Sequence, residues 1–87
     1  MSHEISEAKK KFIVEFMDMK YPLFDIPVAG CSMFLGVTLD TETDMLYAGS
    51  ITNAGAMREF GVAIDYDFSL DQNLEELYEE IISKIMV

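Results

Sequence analysis

Between Met57 and Phe68 the chain alternates almost without a break. Phe60, Val62, Ile64, Tyr66 and Phe68 fall to one side, and Glu59, Asp65 and Asp67 to the other. A period of two over that length is the signature of a strand with one buried face, and a strand must find neighbours for its backbone. Two more alternating runs supply them. Cys31–Leu39 places Cys31, Met33, Leu35, Val37 and Leu39 on one face, and Met45–Thr52 follows it. The joints are Asp40-Thr41-Glu42-Thr43-Asp44 and Asn53-Ala54-Gly55-Ala56, both rich in turn formers. Pairing Leu39 with Met45 also pairs Val37 with Tyr47, Leu35 with Gly49 and Met33 with Ile51. Pairing Thr52 with Met57 matches Tyr47 with Val62, Met45 with Ile64 and Gly49 with Phe60. Both hairpins then bury the same side of the middle strand, which is the agreement a meander needs.

The ends of the chain follow the other period. Ile5, Ala8, Phe12, Phe16 and Met19 recur at helical spacing and predict a helix over 4–20, with Ser2 as its cap and Pro22 as its stop. A strand over Phe12–Phe16 is the rival reading, and the longer stripe is preferred to it. Pro27 and Gly30 predict an irregular Tyr21–Gly30. A second helix, Leu70–Met86, follows Ser69 and Gln72, which have capping-box spacing. It would bury Leu70, Leu74, Leu77, Tyr78, Ile81 and Ile85, with Asp71, Glu75, Glu76, Glu79 and Glu80 outward. The expected fold class is α+β: one small domain over 1–87, α-β-β-β-α, a three-stranded antiparallel meander packed against two helices. Its expected core is Leu35, Val37, Tyr47, Val62, Ile64, Leu74, Leu77 and Ile81.

Composition narrows the function. The chain has 87 residues, a formal charge of −10 and 51% hydrophobic residues. That is too apolar for a disordered acidic tail and too acidic to bind nucleic acid through its general field. A single Cys leaves no internal disulfide and no thiolate zinc cage. No stretch reaches the apolar length of a membrane span, and Met1–Lys11 has no apolar core of a signal peptide, so a soluble, cytoplasmic protein without membrane contact is expected.

Catalytic chemistry finds little to use. Cys31 and His3 are the sole thiol and imidazole, and Cys31 is expected to be a small buried residue at a strand start. Asp40, Glu42 and Asp44 open like a calcium loop, but Met45 stands where Gly belongs and Ile51 where the bidentate Glu belongs. Asp65 and Asp67 are expected on the solvent side of the third strand. Lys9-Lys10-Lys11 is expected to be a solvated, ion-paired helix face. Neither an enzyme nor a metal or cofactor site is expected.

The charge itself is lopsided. Residues 1–30 carry a net −1 and residues 31–87 a net −9. Acidity of this kind serves solubility, or else docking. For docking the expected partner-binding acids are Asp40, Glu42, Asp44, Glu59, Asp65, Asp67, Glu75, Glu76, Glu79 and Glu80, a one-signed surface that attracts a basic protein surface, such as that of a nucleic-acid-binding protein. In size and charge the chain resembles small virus-encoded inhibitors of restriction, CRISPR and DNA-repair enzymes. The likeness is one of class, with no motif to carry residue roles. The alternative is a small homo-oligomer or small-ligand binder. It would use the far sheet face, where the expected registers align Gly36, Ala48 and Gly61 and leave Phe34 and Leu46 exposed beside them.

Overall fold

The computed structural model describes residues 6–20 and 23–85. The order is helix, strands, helix: α1 (Glu7–Asp18), β1 (Leu23–Val28), β2 (Cys31–Asp40), β3 (Met45–Thr52), β4 (Gly55–Ala56), β5 (Phe60–Ala63) and α2 (Leu70–Ile85). All strand pairings are antiparallel, β1 to β2, β2 to β3, and β3 to both β4 and β5. The α+β class therefore holds, with a larger sheet than the expected three strands.

α1 starts later than the sequence pattern suggests. Ser6 accepts the Lys9 N–H at 3.1 Å and caps it. The expected cap Ser2 and the stop Pro22 lie outside the described residues. At α2 the expected cap forms, with Ser69 Oγ accepting the Gln72 N–H at 3.1 Å.

The segment expected to be irregular is the first strand. Phe24, Ile26 and Val28 alternate inward, and Ile26 is fully buried. Pro27 is tolerated because β1 is an edge strand. Ala29 and Gly30, at φ 50° and 83°, make a two-residue turn with both φ positive, the geometry that twists with a tight hairpin. Two breaker residues thus mark a strand and its turn, rather than a loop.

Both expected registers are off by one residue, and the turns explain why. Asp40 pairs with Met45, because the Asp40 carboxylate accepts the N–H groups of Glu42 and Thr43 and closes a four-residue loop. Asp44, at φ 57°, returns the chain to the sheet. At the second joint Thr52 pairs with Gly55 across only Asn53 and Ala54, pinned by the Thr52 hydroxyl on Gly55 O and the Ala54 N–H. A one-residue bulge at Glu59, whose N–H reaches Ala48 O, then gives back one position before Ala48 pairs with Phe60. The two slips cancel in parity. β2 and β5 keep their expected faces, while β3 between them is turned over.

The core shows the result. Phe12, Ile26, Leu35, Leu46, Ala48, Leu70, Leu77 and Ile81 are buried, with Val37, Phe60, Val62, Ile64 and Leu74 packed around them. Leu46 and Ala48 take the places expected for Met45 and Tyr47. Tyr47 lies on the opposite face, against Gly61 and beneath the Arg58 guanidinium, 4.8 Å from its ring centre. Polar Asn73 is also fully buried on α2. Its side-chain oxygen accepts the Asp65 N–H, and its amide donates to Asp65 O and Ser69 O, so the turn 64–69 is tied to the helix.

Candidate functional site

Among the expected docking acids, Asp40, Asp44 and Glu59 are the ones the fold engages most. Asp40 meets Arg58 at 2.9 Å as well as its own turn amides; the Thr43 N–H above all, with Arg58 and the Glu42 N–H, holds its carboxyl below the usual value. Asp44 receives the Lys9 ammonium at 2.8 Å and the Tyr66 hydroxyl at 2.7 Å, and these two contacts lower its pKa. Burial, and then the Asp44 carboxylate it donates to, push Tyr66 up. Glu59 accepts the Ser50 N–H, which lowers its pKa.

The lysine run is divided as well. Lys9 donates to Thr41 O at 2.8 Å and lies over the Tyr66 ring, whose edge contact with Phe12 completes the seat of α1. Among the described residues, Lys10 makes a long contact to Glu7 at 3.9 Å. Of the expected solvated, ion-paired face, the ion pairing is present at Lys9, whereas its solvation is not: the side chain is half-buried against Asp44 and Tyr66. What tethers α1 to the β2–β3 turn is a small polar cluster: Lys9, Thr41, Asp44 and Tyr66.

The remaining acids stay outward. Glu42, Asp65, Asp67, Glu75, Glu76 and Glu79 are exposed, and Glu80 is half-buried beside Lys84 at 3.4 Å. Asp65 and Asp67 do not lie on a strand as expected. They occupy the turn between β5 and α2, where Asp65 accepts the Asp67 N–H. Glu76, Glu79, Glu80 and Ser83 of α2 line a shallow, open groove together with Val62 and Ala63 of β5. Among the described residues no group of three or more His, Cys, Asp or Glu side chains is placed to hold a metal ion.

The small-residue row does not form. Gly36 faces Gly49, Val37 faces Ala48, and Tyr47 faces Gly61. Ala48 and Leu46 are in the core. A Cβ on Gly36 would meet Ala56 and Ile51, and one on Gly49 would strike the Met57 backbone, so the β3–β4 hairpin folds over that face. Phe34 is exposed as expected, at 56%. Cys31, expected to be buried, is exposed beside the first hairpin turn.

No known protein family, curated protein or solved structure matches the chain. No helix among the described residues is long and apolar enough to cross a membrane.

Proposed function

We propose that the protein is a non-enzymatic acidic binding protein that occludes a basic, nucleic-acid-binding surface of a partner protein. The supporting observation is a division of labour among its carboxylates. Asp40, Asp44 and Glu59 are spent on the fold, and Asp65 and Glu80 partly so, on the Asp67 N–H and Lys84, whereas Asp67, Asp71, Glu75, Glu76 and Glu79 are exposed, with Lys84 the sole cation on α2. A rigid helix displaying charge of one sign is suited to steer and seat a basic surface. The reading of self-association through Gly36, Ala48 and Gly61 has no such row to stand on.

The test is capture of a partner from host extract, followed by titration from about 50 to 200 mM salt, a range over which exposed charges are progressively screened. Affinity should fall steeply, mostly through the association rate. Changing Glu75, Glu76, Glu79 and Glu80 together to Gln should weaken binding while leaving helix propensity nearly unchanged. Binding indifferent both to salt and to the quadruple change overturns the proposal.

A further inference from the structure

We propose that the free edge of β5 is a strand-addition site for an extended segment of a partner protein that carries Lys or Arg at alternate positions. This rests on the function proposed above and names how the partner is held. Among the described residues the sheet has two unpaired sides. On one side β1 carries Asp25 and Pro27, a charge and a missing donor of the kind that blunts edge pairing. On the other, β5 reads Phe60-Gly61-Val62-Ala63, with neither charge nor proline.

The hydrogen-bond phase of β5 is fixed by the Ile64 N–H donating to Asp44 O at 2.9 Å. Counting back along an antiparallel ladder, Val62 and Phe60 exchange hydrogen bonds with Leu46 and Ala48, so the N–H and C=O of Gly61 and Ala63 point away from β3. No partner meets those groups among the described residues. A segment laid along them gains backbone hydrogen bonds, and every second side chain falls on the α2 side of the sheet. There Glu76, Glu79 and Glu80 line the groove beside Val62 and Ala63, so the matching side chains are basic ones. A second copy pairing through its own β5 would bring two such glutamate sets together, and their repulsion selects against it.

The probe is a synthetic peptide alternating Lys and Thr, compared with a block isomer of the same composition. The alternating peptide should bind roughly tenfold more tightly and slow amide exchange at Gly61 and Ala63, since only it combines backbone pairing with charge contact. Removing two charges from the groove (Glu76→Gln with Glu79→Gln) should weaken it more than removing two beside it (Asp71→Asn with Glu75→Gln). Ala63→Pro deletes an outward N–H and should lower affinity roughly three- to tenfold. If Ala63→Pro disturbs folding, N-methylating the peptide amides that face the edge replaces it, and should abolish binding where methylating the opposite set does not. Equal binding of the two peptides, with both charge pairs mattering alike, overturns edge pairing but leaves the acidic docking function standing. Binding unaffected by either charge pair sinks both. A dimer of the free protein that Ala63→Pro dissolves also overturns the proposal, because the occupant would then be a second copy.

Discussion

Asn73 carries more of this fold than its residue type announces. It sits on the buried side of α2, where the helical stripe shows apolar residues on either side of it, and nothing in its spacing sets it apart. Its three side-chain hydrogen bonds become visible only once the turn 64–69 is folded back onto the helix. Asn73→Ala deprives the Asp65 N–H and carbonyl of these bonds, at a net cost of about 0.5–1.5 kcal/mol each, because Asp65 is exposed and water can take part of the place of the amide. Urea denaturation should show a lower midpoint with an unchanged slope. The glycines of the sheet divide by what lies opposite them. Gly61 meets the edge of the Tyr47 ring, which can move, whereas Gly49 meets the backbone of Met57, which cannot. Gly49→Ala should therefore destabilise by about 1–3 kcal/mol or more, and Gly61→Ala by clearly less. Equal losses in thermal melts would show that the hairpin does not cross Gly49 as described.

At the level of elements, α1 is seated by few contacts, and the Lys9–Asp44–Tyr66 cluster is their polar part. Asp44→Asn tests it cleanly, because Asn tolerates the positive φ of 57° at this position while removing the charge. Amide exchange across Glu7–Asp18 should quicken in this variant while the sheet stays protected. The pH dependence has a definite sign. Asp44 has a folded pKa below its ordinary value of 3.8, so its contribution is complete above that value and is lost as pH falls through the folded pKa. Wild-type α1 should loosen on acidification below about pH 4, with Asp40 and Glu59 adding losses of the same sign in the sheet. Asp44→Asn should remove the α1 component of that transition. It should also lower the Tyr66 pKa, read from phenolate absorbance, without restoring it fully, since burial is the larger cause.

The same elements show what could be read beforehand. Long stripes and alternations located both helices and the strands flanking β3, because periodicity depends only on which face is buried. Register depends on loop closure, and closure was decided by side chains acting on backbone: Asp40 on its own turn and Thr52 on the next. Met45 and Tyr47 are as apolar as Leu46 and Ala48, so the β3 sequence fits either face, and the turns choose. β1 was hidden for a different reason. Its proline suits an edge strand, but from sequence alone an edge cannot be told from a loop.

For the whole molecule, the acids that remain outward have an energetic cost that separates docking from mere folding. Glu75 and Glu79, and Glu76 and Glu80, are like charges one helical turn apart, each pair destabilising α2 by about 0.2–0.5 kcal/mol. The total charge of −10 adds self-repulsion. Glu75, Glu76 and Glu79 were legible as outward acids because helical spacing alone places them, whereas Glu80 is half-buried beside Lys84. The internal roles of Asp40, Asp44 and Glu59 were not, since each depends on partners distant in the chain or on turn geometry. The two groups should respond to substitution in opposite directions. Replacing Glu75, Glu76, Glu79 and Glu80 with Gln relieves four like-charge neighbour pairs, Asp71/Glu75, Glu75/Glu79, Glu76/Glu79 and Glu76/Glu80, and sacrifices the partly exposed Glu80–Lys84 contact, worth roughly 0–1 kcal/mol. The melting temperature of that variant should hold or rise, and added salt should stabilise it less than it stabilises the wild type, because less repulsion remains to be screened. Binding to a basic partner should weaken in the same variant. A quadruple variant that melts well below the wild type would show that these glutamates support the helix, and would remove the ground for assigning them to a partner.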